Sequence, residues 1–184
     1  MLFRSTGLRI SEALGLQWQD VDYANQRINL RRVWLDNKVV ERMKTEQSEA
    51  PATMSPTLAE VLKLWHQQTP YAQSSDWIFA SSRLKGRQPR TASILAADHL
   101  RPAAIAAGVV LKQGQRFGFH NLRHSLATFL ISKEKDTKTV QGLLRHANVS
   151  TTLNLYAQSV NSSMVAAQES MLKAILRNGS DAVN

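Results

Sequence analysis

Amphipathic helical patterns fill most of the second half of the chain and constrain its fold more than any other feature. Apolar residues recur at helical spacing over residues 92–107, 120–133, 136–146 and 149–158. A further amphipathic pattern covers residues 161–176. Such helices bury their apolar faces against other elements. The regular elements of the second half of the chain are therefore all predicted to be helices.

Extended patterns occur only in the first half. A short helix is predicted over residues 11–18, followed by strands and one turn. One extended run is predicted to begin over residues 27–31 and to continue through 33–35. A turn at residues 36–38 leads to a second strand at 39–40, and residues 53–55 are predicted as a third short strand. Thr57 and Glu60 then have the spacing of a capping box at a helix start. The predicted fold class is mainly α (α+β), a helical domain with a small antiparallel β-sheet near the N-terminus.

Composition limits the classes of protein that remain. The 184 residues, 43% of them hydrophobic, are enough for one domain with a sizeable core. No run of about 18 apolar residues occurs, which argues against a membrane span. The absence of cysteine removes disulfides, thiolate metal sites and thiol catalysis. The first residues lack the apolar core of a signal peptide, and a cytoplasmic location is expected.

The charge distribution points to a polyanionic partner. The formal net charge is +9, and residues 101–150 hold 8 Lys or Arg against 2 Asp or Glu. Such a local surplus is typical of a surface that binds nucleic acid. It falls in the same segment as the most distinctive polar motif of the chain. A generically basic protein without a polyanionic partner is the alternative.

Four motifs occur in a fixed order along the chain. They read TGLR over residues 6–9, HNLRH over residues 120–124, LLRH over residues 143–146, and TLNLY over residues 152–156. Taken together, they resemble the catalytic domain of the tyrosine recombinase, or phage integrase, family. Members of that family cut and rejoin DNA through a 3′-phosphotyrosine, without metal or ATP. The resemblance covers roughly residues 1–160.

The resemblance implies a role for each motif residue. Arg9 and Arg123 match the family's two arginines, whose planar guanidinium groups suit phosphate oxygens. His120 matches a residue of proton transfer and phosphate contact, and His146 a late histidine that contacts the phosphate. Tyr156 matches the nucleophile. Glu12, one helical turn after Arg9, is expected to orient that arginine rather than to react.

Lys44 resembles the lysine that the family carries on a hairpin to protonate the leaving 5′-oxygen. The residues Lys44, Thr45 and Ser48 fit that turn, but the arginine usual after the serine is absent, and Lys38 is the alternative. A second departure is Arg145, which stands where the family has glycine before His146. This change puts the local helix geometry in doubt, and Arg145 is a candidate for contact with backbone phosphate.

A zinc site is the competing interpretation of His120 and His124, four residues apart on a predicted helix. The chain has no His-Glu-x-x-His pattern and no evident third ligand, and His124 is therefore interpreted as a hydrogen-bonded structural residue. No carboxylate cluster suited to two metal ions is found either. The expectation is a site without cofactor or metal.

The resemblance also implies partners and organisation. Residues 1–184 are expected to be one catalytic domain, truncated at the N-terminus, with residues 161–184 as a tail helix and no core-binding domain. The expected partners are double-stranded DNA and, for the full-length protein, three further copies in a tetramer on DNA. In the family, the core-binding domain and the catalytic domain close together around duplex DNA. Without the core-binding domain, DNA binding is expected to be weak and to fall steeply with salt.

Two other functions remain open from the sequence. One is a non-catalytic DNA-binding remnant of an integrase, in which the site residues are present but the active site is not assembled. The other is an enzyme similar to type IB topoisomerases, which share the chemistry. The intact set of motif residues favours a competent active site over the remnant. The placement of the lysine and the run LRHANVSTT over residues 144–152 favour a recombinase over a topoisomerase.

Overall fold

The computed structural model describes residues 2–41, 50–110, 117–133, 136–145, 150 and 152–154. Two short helices open the chain, α1 (Leu2–Thr6) and α2 (Ile10–Leu14). Helix α3 (Pro56–Gln68) follows the strands, and α4 (Ala92–Leu95) runs through a π-helical stretch, Ala96–Leu100, into α5 (Arg101–Ala106). The second half then contributes α6 (Phe119–Ser132) and α7 (Thr137–Leu144).

The strands form two small antiparallel sheets in the described part of the chain. Strands β1 (Val21–Asp22), β2 (Arg27–Ile28) and β5 (Ala52–Thr53) make the first sheet, in the order β1-β2-β5. Strands β3 (Arg32–Leu35) and β4 (Lys38–Glu41) form a hairpin. The fold class predicted from the sequence is thereby confirmed, with the antiparallel pairing divided between two sheets.

One predicted extended run is divided by a change of sheet. Residues 27–35 form two strands rather than one, because β2 pairs with β1 and β5 whereas β3 pairs with β4. Between them, the backbone N–H of Asn29 donates to the carbonyl of Asp20 at 2.8 Å. The alternation of polar and apolar residues over 27–31 continues past the end of β2 at Ile28 and therefore does not mark the end of that strand.

The start of α3 also differs from the prediction. Ser55, not Thr57, is the N-cap, and its hydroxyl accepts a hydrogen bond from the backbone N–H of Leu58 at 3.3 Å. Pro56 occupies the first helical position, where the missing N–H costs nothing and the fixed φ suits the helix. The predicted helix over residues 11–18 is shorter as well, and a 3₁₀ turn, Trp18–Asp20, follows α2.

The buried side chains form two main clusters in the described residues. The larger joins the first sheet to α3 and includes Leu8, Leu16, Ile28, Met54, Leu58, Leu62 and Ile78. The smaller lies between α6 and α7 and consists of Ala127, Ile131, Val140 and Leu144. Helix α1 packs on α6, which brings the first residues of the chain against this second cluster. No helix in the described ranges is long and apolar enough to cross a bilayer.

Gly7 allows the turn between α1 and α2 to approach α7. Its φ of +62° lies in the left-handed region, where a side chain is strained. A Cβ at this position would lie 2.8 Å from Cδ2 of Leu144 and 3.3 Å from Cδ2 of Leu126. The glycine therefore satisfies two requirements, one of backbone conformation and one of space.

Replacing Gly7 with alanine is expected to lower the free energy of unfolding by about 2–4 kcal/mol, from left-handed strain together with overpacking. Urea denaturation followed by circular dichroism measures the change. Gly142→Ala is the control, because the space around Gly142 is open on the exposed side of α7. That control should change stability by less than about 1 kcal/mol. Equal stability of the Gly7 variant and the wild type would contradict the requirement for glycine at this position.

Candidate active site

Arg9 begins α2 and presents its side chain to solvent. Its backbone is extended, with φ −68° and ψ 149°, and 47% of its side chain is exposed. The Glu12 carboxylate makes two hydrogen bonds to Arg9. The carboxylate Oε2 accepts from the backbone N–H of Arg9 at 2.9 Å, and Oε1 accepts from Nη1 at 3.0 Å. The expected contact between Glu12 and Arg9 is present, and it fits an orienting role for Glu12.

Arg123 lies on α6 and is buried, with 5% of the residue exposed. Nη1 donates to the carbonyl of Gly7, and Nη2 donates to the carbonyl of Leu144. These bonds span 116 and 21 residues of sequence and join the α1–α2 turn to the end of α7. Burial, and next the charge of Arg9, lower the pKa of Arg123 to about 10, so the guanidinium remains charged at neutral pH.

His120 precedes Arg123 by one helical turn on the exposed side of α6. Its Nε2 lies 2.7 Å from Nε2 of His124, with one ring nitrogen donating and the other accepting. The two rings meet edge to face, with centroids 4.3 Å apart. Burial, followed by the charges of His124, Arg123 and Arg9, lowers the pKa of His120 below 6.5. Its imidazole is therefore mainly neutral at pH 7 and able to accept a proton.

Arg145 ends α7 in the left-handed region, with φ 50° and ψ 47°. A glycine takes this conformation without strain, whereas a side chain costs about 1 kcal/mol or more. The guanidinium points inward, where Nη2 lies 2.5 Å from Oε2 of Glu12. Only 5% of the Arg145 side chain and 1% of the Glu12 side chain are exposed. The interpretation of Arg145 as a phosphate contact is therefore wrong in this structure, because the group is buried against a carboxylate.

The structure brings three predicted site residues into one electrostatic cluster. Arg123 on α6 donates to the carbonyl of Gly7, two residues before Arg9, so the start of α2 lies beside α6. The other three predicted residues, Lys44, His146 and Tyr156, lie outside the described residues, as does the predicted tail helix. Over the ranges that the structure describes, no group of three or more His, Asp or Glu side chains is arranged to hold a metal ion.

The sequence pattern did not reveal two of these contacts. His124 is a hydrogen-bonded histidine, as predicted, but its partner is the candidate catalytic residue His120. Arg145 is joined to Glu12 across 133 residues of sequence, and the only signal was the cation in place of the family's glycine. Neither helical spacing nor the motif indicates which long-range partner a side chain meets.

The cluster is suited to binding the single negative charge of a phosphodiester, with Arg9 as its exposed cation. The guanidinium groups of Arg9, Arg123 and Arg145 gather around one carboxylate, Glu12, which leaves the group positive. Preorganised cations stabilise negative charge that develops in a transition state. A neutral imidazole beside them adds a proton acceptor. The arrangement can therefore bind a phosphodiester and assist proton transfer from an attacking group.

Comparisons with known proteins agree on one family. The sequence profile described as "Phage integrase family" matches residues 1–162. The type 1 fimbriae regulatory protein FimE of Escherichia coli K12 is 31% identical over 159 residues, which are 83% of this chain and 69% of that protein. Tyrosine recombinase XerC of Syntrophus aciditrophicus is 27% identical over 175 residues, which are 94% of this chain but only 52% of that protein.

Solved structures share the fold. An integrase of transposon Tn1549, in complex with transposon right end DNA, superposes with a TM-score of 0.69 at 22% identity, over 90% of this chain and 56% of that one. The XerH site-specific recombinase bound to its difH substrate superposes with a TM-score of 0.59 at 25% identity, over 85% of this chain and 40% of that one. The chain thus spans about half the length of these structures.

The hydrogen-bonded histidine pair gives a testable titration. In the wild type the pKa of His120 is expected below 6.5, because burial and the charges of His124, Arg123 and Arg9 disfavour the imidazolium ion. His124→Asn removes one of those charges and should move the pKa of His120 upward. A ¹H–¹³C NMR titration of the imidazole Cε1 resonance, from about pH 4.5 to about pH 8, measures the pKa of His120 in both proteins.

The matched control is His99→Asn, which removes a histidine next to Arg90 rather than at the site. It should leave the titration of His120 unchanged. A wild-type midpoint at or above 6.5, or an unchanged midpoint in His124→Asn, would contradict the electrostatic coupling described here.

Proposed function

The chain belongs to the phage integrase family, and we propose that residues 1–184 are the catalytic domain of a site-specific DNA recombinase. The proposed reaction cuts one DNA strand through a 3′-phosphotyrosine and rejoins it. The bond energy is conserved in the covalent intermediate, and religation therefore requires no ATP. The chain spans only about half the length of several of its relatives. The activity of the whole protein is therefore also part of this proposal.

The positive cluster around Glu12 is the observation that carries the proposal. Its members come from the start of α2, from α6 and from the end of α7, and hydrogen bonds that are buried or partly buried hold them together. Glu12 supplies one negative charge beside three guanidinium groups, and the surplus positive charge favours the binding of a further anion. A scissile phosphate supplies that anion. Half-exposed Arg9 is positioned to meet it from solvent, whereas Arg123 is fixed beneath.

The proposed cleavage step uses groups of the protein alone. The phenolic oxygen of Tyr156 forms a bond to phosphorus as the bond to the 5′-oxygen breaks. Neutral His120 accepts the phenolic proton, and Lys44 donates a proton to the leaving oxygen, which becomes a 5′-hydroxyl. Arg9, Arg123 and His146 hold the nonbridging oxygens. The positions of Lys44, His146 and Tyr156 in this scheme rest on the family motifs.

The proposed partner is double-stranded DNA. Relatives of this fold have been crystallised with transposon end DNA and with a recombination site, and the net charge of +9 supports the same class of partner here. Arg83, Lys85 and Arg87 are exposed and add three cations to the surface of the protein. Assembly of four copies on DNA and a cytoplasmic location are further parts of the proposal.

Covalent trapping tests the proposed reaction. The chain is incubated with nicked suicide duplexes that carry degenerate sequences, denatured, and run on a gel. We expect a covalent protein–DNA adduct with the wild type and none with Tyr156→Phe, because the phenol supplies the attacking oxygen. Tyr23→Phe is the matched control, since Tyr23 lies in the β1–β2 turn region, and it should retain the adduct.

An adduct that survives Tyr156→Phe would overturn the assignment of the nucleophile. Gel-shifted complexes without any adduct, in the wild type as well as the variants, would instead favour a DNA-binding remnant whose active site does not assemble. DNA affinity should in either case fall steeply with salt, because the contacts are to phosphate.

A further inference from the structure

Arg145 occupies a position that its own backbone conformation disfavours. Its φ of 50° and ψ of 47° are those in which helices commonly end on glycine. The backbone N–H of Arg145 still makes the capping contacts, with the carbonyls of Gln141 and Gly142 as acceptors. A glycine would make the same backbone contacts without strain. The arginine side chain therefore has to be explained by what it touches.

The side chain touches the carboxylate that holds Arg9. Nη2 of Arg145 lies 2.5 Å from Oε2 of Glu12, and both side chains are almost completely buried. A charged pair at this depth is short and strongly directional. It fixes the Glu12 carboxylate from the side of α7, in addition to the bonds that Glu12 makes within α2.

Glu12 then transmits this contact to Arg9. The same Oε2 atom accepts from the backbone N–H of Arg9 at 2.9 Å, while Oε1 accepts from Nη1 of Arg9 at 3.0 Å. With both oxygens engaged, the carboxylate plane cannot rotate without breaking a bond to one of the two arginines. The direction of the exposed Arg9 guanidinium is therefore tied to the end of α7.

We propose that Arg145 is a positioning residue, which sets the orientation of Arg9 toward the scissile phosphate through the shared carboxylate of Glu12. The proposal rests on the proposed function for the role of Arg9, but the coupling between the two arginines is a property of the fold. Arg145 itself is buried and does not meet the DNA. Its loss should slow cleavage of bound DNA and leave DNA affinity nearly unchanged.

An NMR experiment tests the coupling without any activity. The Nε–Hε resonances of the ¹⁵N-labelled full chain are recorded, and Arg9→Lys assigns the resonance of Arg9. In Arg145→Gly the backbone strain is relieved, and this variant should fold. Its Arg9 resonance should shift and narrow, with the slower transverse relaxation of a more mobile side chain. Arg145→Met should give the same result, and Arg145→Lys should restore part of the wild-type order.

A matched control separates this effect from the loss of any arginine. Arg27→Met removes another arginine–carboxylate pair, Arg27 with Asp22 at 3.0 Å, on the first sheet and away from the site. It should leave the Arg9 resonance unchanged. If the Arg9 resonance stays at its wild-type position and width in both Arg145→Gly and Arg145→Met, the proposal is overturned, and Arg145 has only a role in stability.

The second measurement is the single-turnover rate of adduct formation at saturating suicide substrate. Arg145→Met should lower this rate about tenfold or more, because a misplaced Arg9 guanidinium loses contacts to the transition state. The dissociation constant for DNA should change by less than about threefold, since Arg145 makes no ground-state contact to DNA. Equal loss of affinity and rate would overturn the positioning role. If the wild type forms no adduct, the proposed function fails, while the NMR comparison still decides the coupling.

Discussion

The buried guanidinium of Arg123 is the interaction on which the rest of the site depends. It donates to the carbonyls of Gly7 and Leu144 and thereby joins the first turn of the chain to the end of α7. A charge buried this deeply is tolerated only when its donors are satisfied and a counter-charge is close. The nearby Glu12 raises the pKa of Arg123, against the lowering by burial and Arg9. Packing and electrostatics therefore place the same residues together.

The hydrogen bond from Arg123 to the carbonyl of Gly7 explains why the turn before Arg9 contains a glycine. The carbonyl of Gly7 can reach Arg123 only if the turn lies against Leu144, where a Cβ has no room. Arg145 is the opposite case, a residue with a long side chain in the left-handed region. Its backbone is strained there, and its guanidinium lies on Glu12. Two residues with positive φ thus contribute to the site, Gly7 through its carbonyl on Arg123 and Arg145 through its guanidinium on Glu12.

Periodicity and motifs predicted much of this fold, but not its long-range contacts. The apolar patterns gave α6 and α7 to within a few residues, and the motif order indicated that Arg9 and Arg123 share a site. Residues 27–35 were predicted as one run because alternation does not show where a strand changes sheets. The cap of α3 was assigned to Thr57 because the capping-box spacing competed with a serine followed by proline. The partner of Arg145 depends on tertiary structure, which no local pattern encodes.

The most direct test of this account is amide hydrogen exchange, measured by mass spectrometry, in Arg123→Lys and the wild type. Lysine keeps the positive charge but has no planar fork to reach two carbonyls at once. We expect peptides from residues 2–15 and 137–145 to exchange faster together in the variant, while α3 remains as protected as in the wild type. Faster exchange confined to α6, with both of those segments unchanged, would contradict the claim that Arg123 holds the site together.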